Sequence, residues 1–243
     1  MLVKLRGAAQ GPGALVAEII VAALAEVLEL RVPARRLVVL ERDVVTDDRD
    51  QELGDLLAAS VGLNLGFAVL DEAQDFEPSD LHRIPPADAA AILWLDRLVF
   101  NPDRTAHNPN LLWWDDRLWL IDHGAALRFH YDWSAVTEAT PREIGMTREP
   151  HVFETASDSD EWSTWDSVFS GRLTRAALEA AVATVPADFL LPLIPGAHAG
   201  SPAEQAEALR RRRAAYVAFL WKRLKPPRAF VNHSPVRVVG SPE

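Results

Sequence analysis

Apolar positions along this chain change their period several times. "LVKL" (2–5) reads as a short strand and "RGAAQGPG" as the loop after it. From about Ala14 to Leu30, Leu15, Ile19, Ala22 and Ala23 keep the spacing of one helix face. "RVPARRLVVLER" supplies a proline-punctuated turn and a second strand, Leu37–Leu40. Residues 46–60 read as an acidic helix, and "VGLNLGFAVLDEA" as a glycine-marked loop with a third strand near Phe67–Leu70. Pro85, Pro86 and Asp88 start another helix, because proline tolerates the first turn and aspartate caps its free amides. Ile92, Leu95, Leu98 and Val99 then recur at helical spacing. Leu111–Trp114 and Leu118–Ile121 flank Asp115 and Asp116, the pattern of a hairpin, with one ring of the Trp113–Trp114 pair facing the core. Residues 131–170 look irregular. Helices dominate from Thr174 to Lys225, broken by "LPLIPGAHAGSP", and the tail after Pro226 reads as loosely held. The pattern predicts an α+β protein with a small strand-and-helix lobe, residues 1–72, and a larger, mainly helical lobe, residues 73–243.

Composition narrows the function classes. With 243 residues, 49% of them apolar, the chain can bury a large core. It has no cysteine, which excludes disulfides and thiolate metal sites and fits a reducing cytoplasm. A net charge of −10 argues against direct nucleic-acid binding, which needs clustered Lys and Arg. The one basic cluster, Arg210–Arg213, reads as the solvated face of a late helix. "ALVAEIIVAALAEVLEL" is interrupted by Glu18, Glu26 and Glu29, so it reads as a buried helix and not a membrane span; no targeting segment is legible.

Between two apolar stretches lies a polar knot, "NPDRTAHNPN", residues 101–110. Asp103 and Asn108 are related as D-x-x-x-x-N, the spacing of a kinase catalytic loop. Asp122 follows, with the expected hairpin between, and a hairpin returns its exit to its entry. Asn108 and Asp122 could then share one metal. Phosphoryl transfer asks for this inventory: a Lys for phosphates, a carboxylate to hold it, a residue to orient the nucleophile, and hard oxygen ligands for Mg²⁺. Asp96 and Asn101 match the same spacing but fall within the apolar-periodic helix, where they would project from a rod. Arg104 and His107 read as structural, an Arg bracing the Asp or a His bonding backbone. No two of His123, His130 and His151 sit at a ligand spacing on one expected element, which argues against zinc.

The segment "NPDRTAHNPNLLWWDDRLWLIDHGAAL" resembles the catalytic segment of HipA-like kinases, bacterial proteins of the protein-kinase-like fold related to phosphatidylinositol kinases. "LVKLRGAAQGPGALVAEIIVAALAEVLELRVP" resembles their Lys strand and following helix, and "VGLNLGFAVL" the approach to the hinge. The resemblance covers about two-thirds of the chain. It implies a two-lobed kinase fold and an ATP- and Mg²⁺-dependent transfer to a hydroxyl acceptor, by default protein Ser/Thr. Asp103 would be the catalytic Asp, and Asn108 and Asp122 the Mg²⁺ ligands. Lys4 would contact the ATP phosphates, paired with Glu18, and the adenine would lie against Val69–Glu72. His123 stands where the family pattern of the fold has Phe. The family also has strands and a phosphate-covering loop before the Lys strand, whereas Lys4 is the fourth residue here. A truncated N-lobe is therefore expected, and the alternative is a nucleotide-binding regulatory module with weak or no catalysis. A third class, an interaction protein without a nucleotide site, would scatter Asp103, Asn108 and Asp122 over separate surfaces.

Overall fold

The computed structural model describes residues 1–8, 10–43, 51–145 and 149–231. The architecture is α+β, with two small antiparallel sheets and a helical remainder. The first sheet has the order β1–β3–β2, from β1 (Leu2–Lys4), β2 (Arg35–Leu40) and β3 (Gly62–Phe67). Phe67 lies between Leu2 and Arg35, and Leu65 between Lys4 and Leu37. The third strand is thus earlier than Phe67–Leu70. Gly62 and Gly66 read as loop residues, but both belong to β3, and at Gly66, next to its last residue, an added Cβ would stand 2.8 Å from both Met1 Sδ and Val38 Cγ2. The close packing of neighbours over this position requires glycine.

Helix α1 (Gly11–Val27) starts earlier than Ala14, since Pro12 has no N–H to leave unpaired in the first turn. It ends before Leu30 because Glu29 turns left-handed (φ 64°). Leu30 N–H then bonds Ala25 O at 2.9 Å and Glu29 N–H bonds Glu26 O at 3.0 Å, a Schellman closure. Residues 15–22 of this helix are all buried. α5 (Arg175–Ala183) and α6 (Ala187–Leu190) pack on it, so the helix is covered on more than its sheet side. A helix that is apolar all round belongs in a core. Of the expected helix 46–60, α2 covers Gln51–Ala59; residues 46–50 lie outside the described residues.

The second sheet, β4–β5–β6, joins β4 (Gln74–Asp75) to the expected hairpin, β5 (Leu111–Trp114) and β6 (Arg117–Leu120). Asp115 and Asp116 are both left-handed (φ 51° and 52°), as the tightest hairpin turns demand. Trp113 packs against the core beside Phe76, while Trp114 Nε1 bonds Asp71 O at 2.9 Å. Arg31 O accepts Leu120 N–H at 2.8 Å, which ties the chain after α1 to the second sheet.

Helix α3 (Pro86–Leu98) carries Trp94 into the core, and α4 (Trp162–Arg172) falls almost wholly in the stretch that reads as irregular. α4 escapes the pattern because its inward positions are Trp162, Asp166 and Phe169, one of them an acid. Asp166 is paired: Trp94 Nε1 bonds it at 2.8 Å and Arg228 holds both its oxygens. Residues 226–231 are accordingly not loose, since Phe230 is also buried against Trp94; residues 232–243 lie outside the described residues. In α7 (Pro202–Leu224) the basic cluster divides. Arg210 and Arg211 pair with Glu207 in solvent, but Arg212 and Arg213 bond Leu193 O and Val185 O, so only half of it is a solvated face. Among the described residues no single helix is long and apolar enough to cross a membrane.

Candidate active site

Three elements bring charge to one point. β1 ends on Lys4, α1 presents Glu18 two turns in, and β6 delivers Asp122 just past its end. Lys4 Nζ bonds Glu18 Oε1 and, at 2.7 Å, Asp122 Oδ1. Glu18 is the one charged side chain on the buried stretch of α1. Burial opposes its charge, but His123 and Lys4 outweigh burial and hold its pKa at about 2. Burial likewise opposes the charge on Lys4, and Glu18 and Asp122 raise its pKa in spite of it. His123 is buried, with Nδ1 3.4 Å from Glu18 Oε2, ion-pair range without hydrogen-bond geometry; its Nε2 has no partner.

These residues, with Arg35, line a cleft of about 420 Å³. Its walls are otherwise mostly apolar: Ala22, Val32, Phe67, Leu112, Leu120 and Ile121, with Val69 and Leu70 at its edge. The Phe67 ring lies 5.7 Å from Lys4 Nζ. An apolar slot with a few convergent charges is the usual form of a small-molecule site.

The polar knot leads into the hairpin. Thr105 N–H bonds Asn108 O at 3.1 Å and Asn108 N–H bonds Thr105 Oγ1 at 3.2 Å, which curls the loop. Asp103 Oδ2 accepts Asn108 Nδ2 at 3.1 Å and Asn110 Nδ2 at 3.3 Å. The hairpin returns as expected, because Ile121 N–H bonds Asn110 O at 3.0 Å. Asn110 and Asp122, at its entry and exit, are both left-handed (φ 51°). Non-glycine residues held there are uncommon, and they gather at sites that need a fixed side-chain direction. Lys4, Glu18 and Asp122 therefore meet in one cluster and Asp103 and Asn108 in a second, joined through the hairpin backbone.

Three sequence readings need correction. Arg104 braces Asp96, not Asp103, with Nε 2.6 Å from Asp96 Oδ2. His107 bonds the Glu149 side chain at 2.9 Å instead of backbone. Asp96 and Asn101 do not project from a rod: Asn101 lies past the end of α3, both are buried, and Asn101 Nδ2 bonds Asp96 Oδ1 at 2.8 Å. Asn110 was not singled out by spacing, although it belongs to the same asparagine-rich knot.

A family model described as HipA-like kinase matches residues 2–190. The chain belongs to the HipA-like kinase family. The match runs from β1 to the end of α6 and takes in Lys4, Glu18, Asp103, Asn108 and Asp122; α7 lies beyond it. Membership places the chain among kinase-type phosphotransferases. No curated protein matches the sequence.

Among the described residues no group of three or more His, Asp or Glu side chains could hold a metal. A smaller oxygen set suits Mg²⁺, which is commonly bound by one or two carboxylates together with water and substrate phosphates. Asn108 turns its Nδ2 to Asp103, which leaves Oδ1 for a ligand, and Asp122 is half exposed with Oδ2 beyond the Lys4 bond. An amide oxygen and a carboxylate oxygen are donors of the kind Mg²⁺ takes.

Proposed function

We propose that this HipA-like kinase transfers the γ-phosphate of ATP, with Mg²⁺, to a hydroxyl acceptor, protein Ser or Thr first, in the cytoplasm. The observation that carries the reading is Lys4, bound at once by Glu18 and Asp122 in the wall of a mostly apolar cleft. In this reading residues 1–72 and 73–243 are the two lobes of a kinase-like fold, with the cleft between them and the adenine against Val69–Glu72. Glu18 holds Lys4 extended toward the phosphates. Asp122 and Asn108 hold Mg²⁺, which when bound neutralises charge on the phosphates. Asp103 orients the acceptor hydroxyl and takes its proton as the new O–P bond forms; the bond to the β-phosphate breaks and ADP leaves. Asp103 is suited to this because two asparagine amides fix its carboxylate and neither supplies a positive charge. Positioning and charge neutralisation account for most of the rate in such transfers.

The test compares the parent with Asp103→Ala, following phosphate from ATP into a panel of Ser/Thr protein acceptors. Loss of a positioned general base costs about 10²–10⁴-fold in rate, and the melting temperature should stay close to that of the parent. Both proteins should still be stabilised by ATP with Mg²⁺, by about 2.7 kcal/mol at a hundred times the dissociation constant. Equal transfer by the two would overturn the reading. Stabilisation by nucleotide with no transfer by the parent would replace it with a nucleotide-binding module.

A further inference from the structure

The proposed transfer does not use a buried acid that accepts three side-chain hydrogen bonds beside the polar knot. Asp96, on α3, is 1% exposed and is bonded by three residues from outside its helix. Asn101 Nδ2 donates to its Oδ1 at 2.8 Å, while Arg104 Nε and His151 Nε2 reach its Oδ2 at 2.6 and 2.9 Å. Each of the first two then acts on the candidate site. Asn101 Oδ1 accepts the N–H of Asp103 at 3.1 Å. Arg104 Nη1 donates to the carbonyls of Pro109 (3.2 Å), Asn110 and Ile121 (3.5 Å), at the entry and exit of the hairpin that ends in Asp122. One buried carboxylate thus governs both sides of Asp103 and the approach to Asp122.

His151 comes from a distant segment. Its Nδ1 accepts the N–H of Phe153 at 3.0 Å, so its proton is on Nε2 and the ring donates to Asp96. The same segment is fastened to the loop by Val152 N–H on Arg104 O at 3.0 Å, by a backbone bridge between Thr105 and His151, and by His107 on Glu149.

We propose that Asp96 and His151 are positioning residues, which through Asn101 and Arg104 set where the Asp103 carboxylate stands and make segment 149–153 a working part of the site. The proposal rests on the phosphotransferase reading. A catalytic group displaced by about 1 Å can lose on the order of 10²-fold in rate, so a bracket of this kind governs turnover more than nucleotide binding.

The test uses two partial replacements of one ring in the full chain. In His151→Gln the amide nitrogen takes the place of Nε2 and keeps the bond to Asp96. In His151→Asn the amide oxygen takes the place of Nδ1, keeps the Phe153 N–H, and stops short of Asp96. His151→Gln is expected within about twofold of the parent. His151→Asn is expected to lose about tenfold or more in kcat, with KM for ATP unchanged and the melting temperature matching that of His151→Gln. Asn101→Ala, which cuts the links to Asp103 and to Asp96 Oδ1 together and spares the Asp96 bonds of Arg104 and His151, should show the same split.

Amide hydrogen exchange at Asp103 and Thr105, without nucleotide, supplies a readout independent of turnover. Exchange should rise about tenfold in His151→Asn and not in His151→Gln. Unchanged exchange in His151→Asn overturns the proposal, as does an unchanged kcat where the parent is active. A joint fall of kcat and melting temperature in both variants reduces His151 to a packing role and also overturns it. A parent that transfers no more phosphate than Asp103→Ala defeats the phosphotransferase reading itself, and the positioning role falls with it.

Discussion

At the scale of single residues, Lys4 is held by a buried acid that the fold keeps charged. Glu18 is fully buried, and its carboxylate is sustained by Lys4 and His123. Its pKa is about 2 in the fold and 4.5 as a free side chain, so the unfolded chain binds the extra proton between those values. Stability from this group is present above about pH 4.5 and is lost as the pH falls toward 2. Acid denaturation followed by circular dichroism should therefore show a shallower loss over that window in Glu18→Gln than in the parent. Lys4→Met leaves the acid in place without its cation. Removing one partner of a fully buried pair costs about 3–5 kcal/mol. Since the Lys4 side chain is 28% exposed, about 2 kcal/mol is expected in urea denaturation. The pairing of Asp103 with Asn108 was legible because the two lie five positions apart in one polar loop. The bonds of Asp96 to Asn101 and Arg104 were not, because a sequence does not show which side of a helix meets a loop.

At the scale of elements, the loop after the Lys strand is fixed by what packs on it. Gly7 donates its N–H to Ser60 Oγ at 3.1 Å, at the end of α2. A Cβ at Gly7 would lie 2.7 Å from both Ala59 Cβ and Ser60 Oγ and 2.9 Å from the Ala59 carbonyl carbon. Since backbone has to move, Gly7→Ala should cost about 1–3 kcal/mol. Gly54, within the same helix, has nothing within 4 Å of such an atom. Gly54→Ala should add about 0.4–1 kcal/mol by restricting the unfolded chain. Opposite shifts in melting temperature for the two variants would check both. The hairpin was readable because two aspartates between alternating apolar runs leave few other folds. β3 was misplaced because glycines that serve close packing look, in sequence, like glycines that serve a turn. α4 was missed because its buried Asp166 interrupts the apolar stripe, and the partners that make that burial tolerable are 62 and 72 residues away.

For the whole molecule, Arg223 near the end of α7 joins distant parts of the chain. Its guanidinium donates to the carbonyls of Leu98 (2.7 Å) and Arg97 (2.7 Å) at the end of α3, and of Pro141 (3.1 Å) and Glu143 (2.8 Å). It also stacks on Phe100, 3.7 Å from the ring centre. Burial lowers its pKa to about 9. Replacing it with alanine would leave four carbonyls without this donor, two of them at a helix end, and should cost about 3–5 kcal/mol in a single cooperative transition read by calorimetry. The chain alone determined the period of most elements, the hairpin and the spacing of Asp103 from Asn108, because each depends on residues near one another in sequence. Only the tertiary structure decided that Lys4 meets Asp122 across 118 positions, that Asp96 bonds Asn101 and Arg104 on either side of Asp103, and that α1 is buried among C-terminal helices. Such contacts depend on how faces dock in space, and a linear pattern of apolar and polar residues gives the faces without their partners.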